Sequence, residues 1–334
     1  MNSHVVLTQP VPSAQALLAW APLWAFQAAV VALVAGAILL PVLRRLQFRQ
    51  HAYEDAPATH RAKTGTPTMG GIVFVIAMAI AMLDRAPLVL PLGFLVIACG
   101  AVGFADDYLG VRHGSNRGLR ARTKFLLTAL VAVTFLRAVD GSYGFFPRDT
   151  LFHAGAYSMT VPHWLWLVLG ILAVTGTIHA VNLTDGLDGL ATGSIVPPLA
   201  AFVAIGAQTL VPAAMIGAAT GLGACLGFFV YNRHPAKMFM GDTGSLALGA
   251  LLSGVAILSG EMLLLIVAGG IFVAETLSVI LQVAYFKVTH GKRIFRMSPL
   301  HHHYELAGWP ETKVTARFWL ASLVCSAVGW AIVR

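Results

Sequence analysis

Residues 163–206 read HWLWLVLGILAVTGTIHAVNLTDGLDGLATGSIVPPLAAFVAIG. Two continuous apolar runs, 163–181 and 189–206, flank one short polar insert. Each run is near the length of about 20 helical residues that crosses a hydrocarbon core about 30 Å thick. Neither alternates apolar and polar residues as a barrel strand must, so both are expected to be transmembrane helices. The insert then falls at a membrane edge.

The same pattern repeats outward. Ten apolar spans are predicted, at 17–43, 69–83, 87–105, 124–138, 163–181, 189–206, 209–231, 243–260, 262–286 and 316–333. Those at 69–83 and 124–138 are short. Composition agrees: 57% of the 334 residues are hydrophobic and 11% charged, far from the soluble average of roughly 25% charged. No polar stretch is long enough for a separate soluble domain, so residues 1–334 form one all-α, polytopic membrane domain. The first 15 residues lack a basic region before the first apolar run, and no removable signal peptide is expected.

The net charge of +8 is first a topology signal and not a nucleic-acid footprint. Segments 44–68, 106–124, 232–242 and 287–317 hold 18 of the 22 Lys and Arg residues. These segments are therefore assigned to the cytoplasm and both termini to the opposite side. Cys99, Cys225 and Cys325 lie in apolar runs without metal-ligand spacing and are expected to be packed thiols.

Topology does not explain the acidic residues. Asp106, Asp107, Asp185, Asp188 and Asp242 all fall at cytoplasmic ends of apolar segments. A carboxylate there is costly unless hydrated, paired or metal-bound, so their collection on one face points to a polar site. In GFADDYLG (103–110) the adjacent Asp106 and Asp107 diverge by about 100° on a helix and need not serve one ion. This is not a DDxxD array, because residue 110 is Gly. In NLTDGLDGL (182–190) Asn182, Asp185 and Asp188 are spaced by three, so one helical turn can direct them to a common cavity. The bland alternative is an Asx-rich cap on the next helix.

In YNRHPAKMFMGDTGS (231–245), Asp242 stands at a helix start, where backbone donors and an attached cation can meet a diphosphate. Phe239 is placed either to stack on a base or to anchor the interface. SPLHHHYELAGWPETKV (298–314) carries His301, His302 and His303. Three consecutive imidazoles share no face, so phosphate or sugar contacts by one or two of them suit better than a three-histidine metal centre. Lys63 precedes GTPTMGG, which is not a P-loop; Lys63 and Lys124 either meet phosphate or mark the cytoplasmic face. Glu275 and Gln282, seven apart, face protein or a groove and not lipid.

Together these segments resemble the phospho-N-acetylmuramoyl-pentapeptide transferase family. The likeness runs through KTGTPTMGG (63–71), FADDYLG (104–110), NLTDGLDGLA (182–191), YNRHPAKMFMGDTGS (231–245) and SPLHHHYELAGWPETKV (298–314). The first three and GDTGS also resemble the wider polyprenyl-phosphate sugar-phosphate transferases, whereas HHHYELAGWPE is specific to the muramoyl branch. The resemblance implies an enzyme of the bacterial inner membrane, facing the cytoplasm, that acts in peptidoglycan synthesis. It would transfer phospho-MurNAc-pentapeptide from UDP-MurNAc-pentapeptide to undecaprenyl phosphate, forming lipid I and UMP with Mg²⁺.

By the same resemblance Asp242 is the Mg²⁺ ligand and Asp106 prepares the lipid phosphate. Asp107 and Asp185 are further catalytic or orienting candidates. Asp188 and Phe239 resemble uridine contacts, with Asn182, Asn232, Lys63, Lys124, Thr68 and Gln282 around the donor, and His301 and His302 resemble phosphate or donor contacts. The family also implies a homodimer among membrane lipids. Direct attack by the lipid phosphate is preferred to a phosphoryl-aspartate intermediate, since an aspartate bound to Mg²⁺ is a poorer nucleophile. Two other readings compete: a GlcNAc-1-phosphate transferase sharing the acidic segments, and a transporter, which would distribute polar groups through the membrane depth.

Overall fold

The computed structural model describes residues 13–46, 65–113, 118–142 and 147–334. Lys63, the first twelve residues and parts of the segments at 44–68 and 106–124 lie outside the described residues.

The chain is an all-α polytopic membrane protein with eight helices, among the described residues, long and apolar enough to cross a membrane. In chain order the helices are α1 Ala14–Arg45, α2 Ile72–Ala81, α3 Val89–Arg112, α4 Ala121–Asp140, α5 His163–Thr184 and α6 Leu190–Gln208. They continue with α7 Pro212–Asn232, α8 Gly241–Leu258, α9 Leu264–Ala268, α10 Gly270–Val288, α11 Leu300–Leu306 and α12 Glu311–Val333. Nine of the expected apolar spans each centre on one helix; the tenth, 262–286, is divided at Gly269 between the short α9 and α10. Two of them fall short of a full span by length or polarity: α2 has 10 residues, and α4 carries Arg122, Lys124, Arg137 and Asp140.

One feature departs from all-helical architecture. Strands β1 Thr150–Ala154 and β2 Tyr157–Thr160 pair antiparallel between α4 and α5, with Ala154 opposite Tyr157. The two-residue turn begins with Gly155 at φ +56°, the left-handed backbone that a tight hairpin requires. Two strands alone are marginal. Here Leu263 N–H donates to the Leu151 carbonyl at 2.9 Å, and His153 binds the fully buried Glu261 through its backbone N–H at 3.2 Å and its Nδ1 at 2.8 Å.

Helices α7 and α8 form the centre. Burial covers 89% of the apolar window of α8 and 78% of that of α7, against 22% for α1, α10 and α12. Their small residues let backbones approach closely, the usual means of helix association where lipid provides no hydrophobic drive. Helix α1 packs on α7, α3 and α5 on α8, and α12 on α6. Cys99 and Cys225 are buried and all three cysteines are free.

Candidate active site

The start of α8 organises the site. Its first residue, Gly241, has φ +69°, and a side chain there would collide with Asp107 Oδ2 and Thr68 Oγ1. Just before it, Phe239 N–H donates to the Pro67 carbonyl, and Gly70 and Gly71 donate back to the Phe239 and Met240 carbonyls, each at 2.8 Å. This pairing holds Thr68 and the half-buried Phe239 beside Asp242.

Asp106 and Asp107, near the end of α3, diverge as helical geometry requires. Asp107 accepts from the N–H of Asp242 at 3.0 Å, the N–H of Thr243 at 2.9 Å and the Thr243 hydroxyl at 2.6 Å. No neighbouring side chain caps α8 from its own N-cap position, so Asp107 supplies that cap from another helix, satisfying free donors at the positive end of the dipole. Asp106 turns the other way. Its Oδ1 accepts from Leu119 N–H at 2.9 Å and lies 3.1 Å from Lys124 Nζ.

Lys124, in the first turn of α4, also pairs with Asp242 Oδ2. Asn182, in the last turn of α5, donates to Asp242 Oδ1 at 2.8 Å and to Ser245 Oγ at 2.9 Å. Four helices thus converge on Asp242. Asp185 lies at the C-terminal end of α5, where burial, reinforced by the negative charges of Asp242, Asp107 and Asp188, raises its carboxyl well above the usual range. A cation entering this cluster would relieve that repulsion.

The spacing of three in NLTDGLDGL does not bring all its polar groups to one point. Helix α5 ends at Thr184, and a turn with Gly189 at φ +70° leads into α6. Asn182 therefore faces Asp242, while Asp188 faces a second polar cluster. There the buried Asp188 accepts through Oδ2 from Ala236 N–H at 3.0 Å and pairs with His234 Nδ1 at 3.0 Å. Glu311 accepts from Asp188 N–H at 2.6 Å and approaches His234 Nδ1 at 3.4 Å. Ligand atoms of Asp188, His234 and Glu311 all lie within 4.8 Å of one another, a cluster capable of coordinating a divalent cation. Asp242 is not part of it.

Other expected site residues hold the walls. Buried Asn232 accepts from the Thr192 hydroxyl at 2.7 Å and donates to the Met238 carbonyl at 3.1 Å, shaping the loop that carries Phe239. Gln282 accepts from Ile294 and Phe295 N–H, both at 3.0 Å, and donates to the Phe295 carbonyl at 3.2 Å. His301 is fully buried with Glu275, which accepts its backbone N–H at 3.2 Å and stands 3.2 Å from its Nδ1. His302 Nδ1 is 2.8 Å from Glu305 Oε2.

Thr243, Ser245, His234 and Glu311 were absent from the expected set although each lies inside a quoted segment. Their polar side chains were the available signal, and only the pairing geometry distinguishes them from solvated loop residues. An apolar groove of about 540 Å³ opens next to this centre, between α4 and α5, lined by Ala121, Arg122, Phe125, Leu126 and His179. Its size lies within the range of roughly 300–1,000 Å³ of ligand clefts.

A helical membrane fold whose carboxylates gather at one end, beside an apolar groove, defines a membrane-embedded transferase, and residues 89–260 match the family described as Glycosyl transferase family 4. Residues 63–75 match the phospho-N-acetylmuramoyl-pentapeptide-transferase signature 1. Phospho-N-acetylmuramoyl-pentapeptide-transferase of Heliobacterium modesticaldum is 46% identical over 310 residues, covering 92% of this chain and 96% of that protein. The proteins of the same name from Desulforamulus reducens and Bacillus subtilis are 45% identical over 317 residues and 42% over 308; each covers 90% of this chain, and 92% and 94% of their own lengths. The chain belongs to the phospho-N-acetylmuramoyl-pentapeptide-transferase family.

Proposed function

We propose that the chain transfers phospho-MurNAc-pentapeptide from UDP-MurNAc-pentapeptide to undecaprenyl phosphate, forming lipid I and UMP for peptidoglycan synthesis in the bacterial inner membrane. The observation that carries the site assignment is the Asp106–Lys124–Asp242 bridge, whose lysine lies between Arg122 and Phe125 on α4, a helix that walls an apolar groove. A lipid acceptor needs that combination, because its chain must stay in apolar surroundings while its phosphate meets a soluble donor. Arg122 and Lys124 beside the groove complement the phosphate charge.

Phosphoryl transfer mainly demands alignment and neutralisation of developing oxygen charge. Lys124 supplies a fixed positive charge, Asp106 prepares the acceptor phosphate, and Asn182 orients Asp242. Asp107 keeps α8 in place, and Asp185 orients phosphate or metal from the end of α5. The donor set of carboxylate oxygens suits Mg²⁺, and Asp242, with its neighbouring carboxylates, would hold it; the ion when bound supplies charge stabilisation to the transferring group. The imidazole-containing Asp188–His234–Glu311 set is less suited to that ion. Asp188 and Phe239 flank the uridine, and Thr68, Asn232, Gln282, His301, His302 and Lys63 surround the remainder of the donor. The acceptor phosphate attacks the donor β-phosphorus directly and UMP leaves.

The topology reading has ten crossings, with α2 and α4 completing the set, both termini periplasmic and the catalytic segments 63–71, 104–124, 182–191, 231–245 and 298–314 cytoplasmic, in a homodimer. The basic residues support it, with 18 of 22 on the assigned side. The reaction is tested by UMP release from UDP-MurNAc-pentapeptide in purified protein, with and without undecaprenyl phosphate, and with UDP-GlcNAc as the competing donor. Release that needs both the muramoyl donor and the lipid is the expected result. Turnover of UDP-GlcNAc instead would overturn the substrate assignment.

A further inference from the structure

His179 is the one imidazole among the residues lining the α4–α5 groove. Its Nε2 lies 3.2 Å from the Thr128 hydroxyl, and its ring stacks on Phe125 at 5.7 Å between centroids, 20° from parallel. The Thr128 hydroxyl is 3.1 Å from the Lys124 carbonyl and 2.9 Å from the Phe125 carbonyl. A hydroxyl has one proton to give and gives it to those carbonyls, so toward His179 it accepts and Nε2 carries the proton.

The position of this link matters. Thr128 is four residues after Lys124 and His179 three before Asn182, so each lies one helical turn from a residue that grips Asp242. The Thr128–His179 bond therefore joins α4 to α5 one turn inside the membrane from the catalytic bridge. It also fixes the His179 ring in the groove wall.

We propose that His179 is the acceptor-positioning residue of this enzyme: anchored on Thr128 and stacked on Phe125, it sets the groove's width at the polar end and so delivers a prenyl phosphate to Lys124. The inference rests on the reaction proposed above. It requires that His179 act on the lipid substrate and leave the nucleotide donor alone, since neither Thr128 nor His179 belongs to the Phe239–Asp188 side of the site.

The test compares His179→Ala, His179→Gln, Thr128→Val and the double variant His179→Ala/Thr128→Val in full-length, detergent-purified protein. KM is measured separately for undecaprenyl phosphate and UDP-MurNAc-pentapeptide. A fluorescent prenyl phosphate is titrated directly, so that acceptor binding is read even if UMP is not released. His179→Ala and Thr128→Val should each raise the acceptor KM and the probe Kd about fivefold or more, with the donor KM within twofold of wild type. Two partners in one bond are not additive, so the double variant should lose no more than the worse single variant. His179→Gln, which keeps a donor toward Thr128, should recover most of the loss. Equal shifts in both KM values, multiplying effects in the double variant, or a folded Thr128→Val with unchanged probe affinity would each overturn the proposal. Wild-type protein that binds the probe but releases no UMP would instead overturn the reaction and leave the role of His179 to be read from Kd.

Discussion

Asp107 Oδ2 receives both the backbone N–H and the hydroxyl of Thr243, at 2.9 and 2.6 Å. With Oδ1 engaged by Asp242 N–H at 3.0 Å, the carboxylate spends its acceptors on the first turn of α8. Of the adjacent pair, Asp106 faces Lys124 and Asp107 sets where Asp242 stands. Hydrogen bonds to a charged group contribute about 1.5–3 kcal/mol. Thr243→Val should thus lower thermal stability modestly and retain turnover, whereas Asp107→Asn, which turns an amide toward α8 donors, should lose turnover at least tenfold with nearly unchanged donor KM. Paired melting and steady-state measurements check both.

Lys124 pairs with Asp106 and Asp242 together. In the proposed mechanism its ammonium would compete with a metal for the same carboxylates while serving the phosphate. Lys124→Met should bind Mn²⁺, read by electron paramagnetic resonance, at least as tightly as wild type yet turn over at least a hundredfold more slowly. Asp242→Asn should lose both. Turnover above half of wild type in Asp242→Asn at saturating Mg²⁺ would remove Asp242 from the metal role.

The spans were legible because apolar length is a one-dimensional property, and nine of the ten runs each centre on one helix; the break at Gly269 inside the run 262–286 was not legible, because both flanks are apolar. The β-hairpin at Thr150–Thr160 was not: its strands are short, and what holds them is Glu261, over a hundred residues away. The acidic residues were legible as a group because charge at a membrane edge needs a reason. Their division was not. Whether Asp188 shares a cavity with Asn182 depends on where α5 stops, and the turn at Asp185–Gly189 rotates Asp188 toward His234. Asn232 and Gln282 carry the polar character of ligand contacts, yet their amides are engaged by loop backbone that only the tertiary fold brings near.

Topology is open to labelling. In a background without the three native cysteines, Arg120→Cys and Lys292→Cys should resist an impermeant maleimide in intact cells, and Tyr157→Cys on the exposed strand β2 should react. Ready reaction at 120 and 292 with protection at 157 would invert the orientation.

The hairpin anchor predicts a pH dependence. Burial raises the Glu261 carboxyl above its ordinary 4.5, and the hydrogen bonds from His153 only partly offset it. A carboxyl with a raised folded-state pKa binds its proton more tightly in the fold. Its charge therefore costs stability above that folded value, and the cost is relieved as pH falls from there toward 4.5. Glu261→Gln has no such proton. The difference in melting temperature, Glu261→Gln minus wild type, should be constant at high pH and become more negative on acidification through that window. A difference flat from pH 8 to pH 4.5 would refute the assignment.

His301 ties α11 to the Asp185 turn. Glu275 holds its backbone and stands 3.2 Å from its Nδ1, both side chains being buried. Its Nε2 faces Gly186, where any side chain would collide with the ring. Gly186→Ala must therefore push His301 away or displace Asp185, and either movement disturbs the donor side. Turnover should fall at least tenfold and the donor KM should rise. Truncating His301 removes the obstacle, so Gly186→Ala in a His301→Ala background should cost much less than in wild type, a coupling that a double-mutant cycle measures directly. Glu275→Leu would strand His301 without its partner and should destabilise by about 3–5 kcal/mol if the pair is charged. Glu275→Gln keeps an acceptor for the His301 N–H and should be milder. Additive losses for Gly186→Ala and His301→Ala would show that the imidazole and the Asp185 turn act independently.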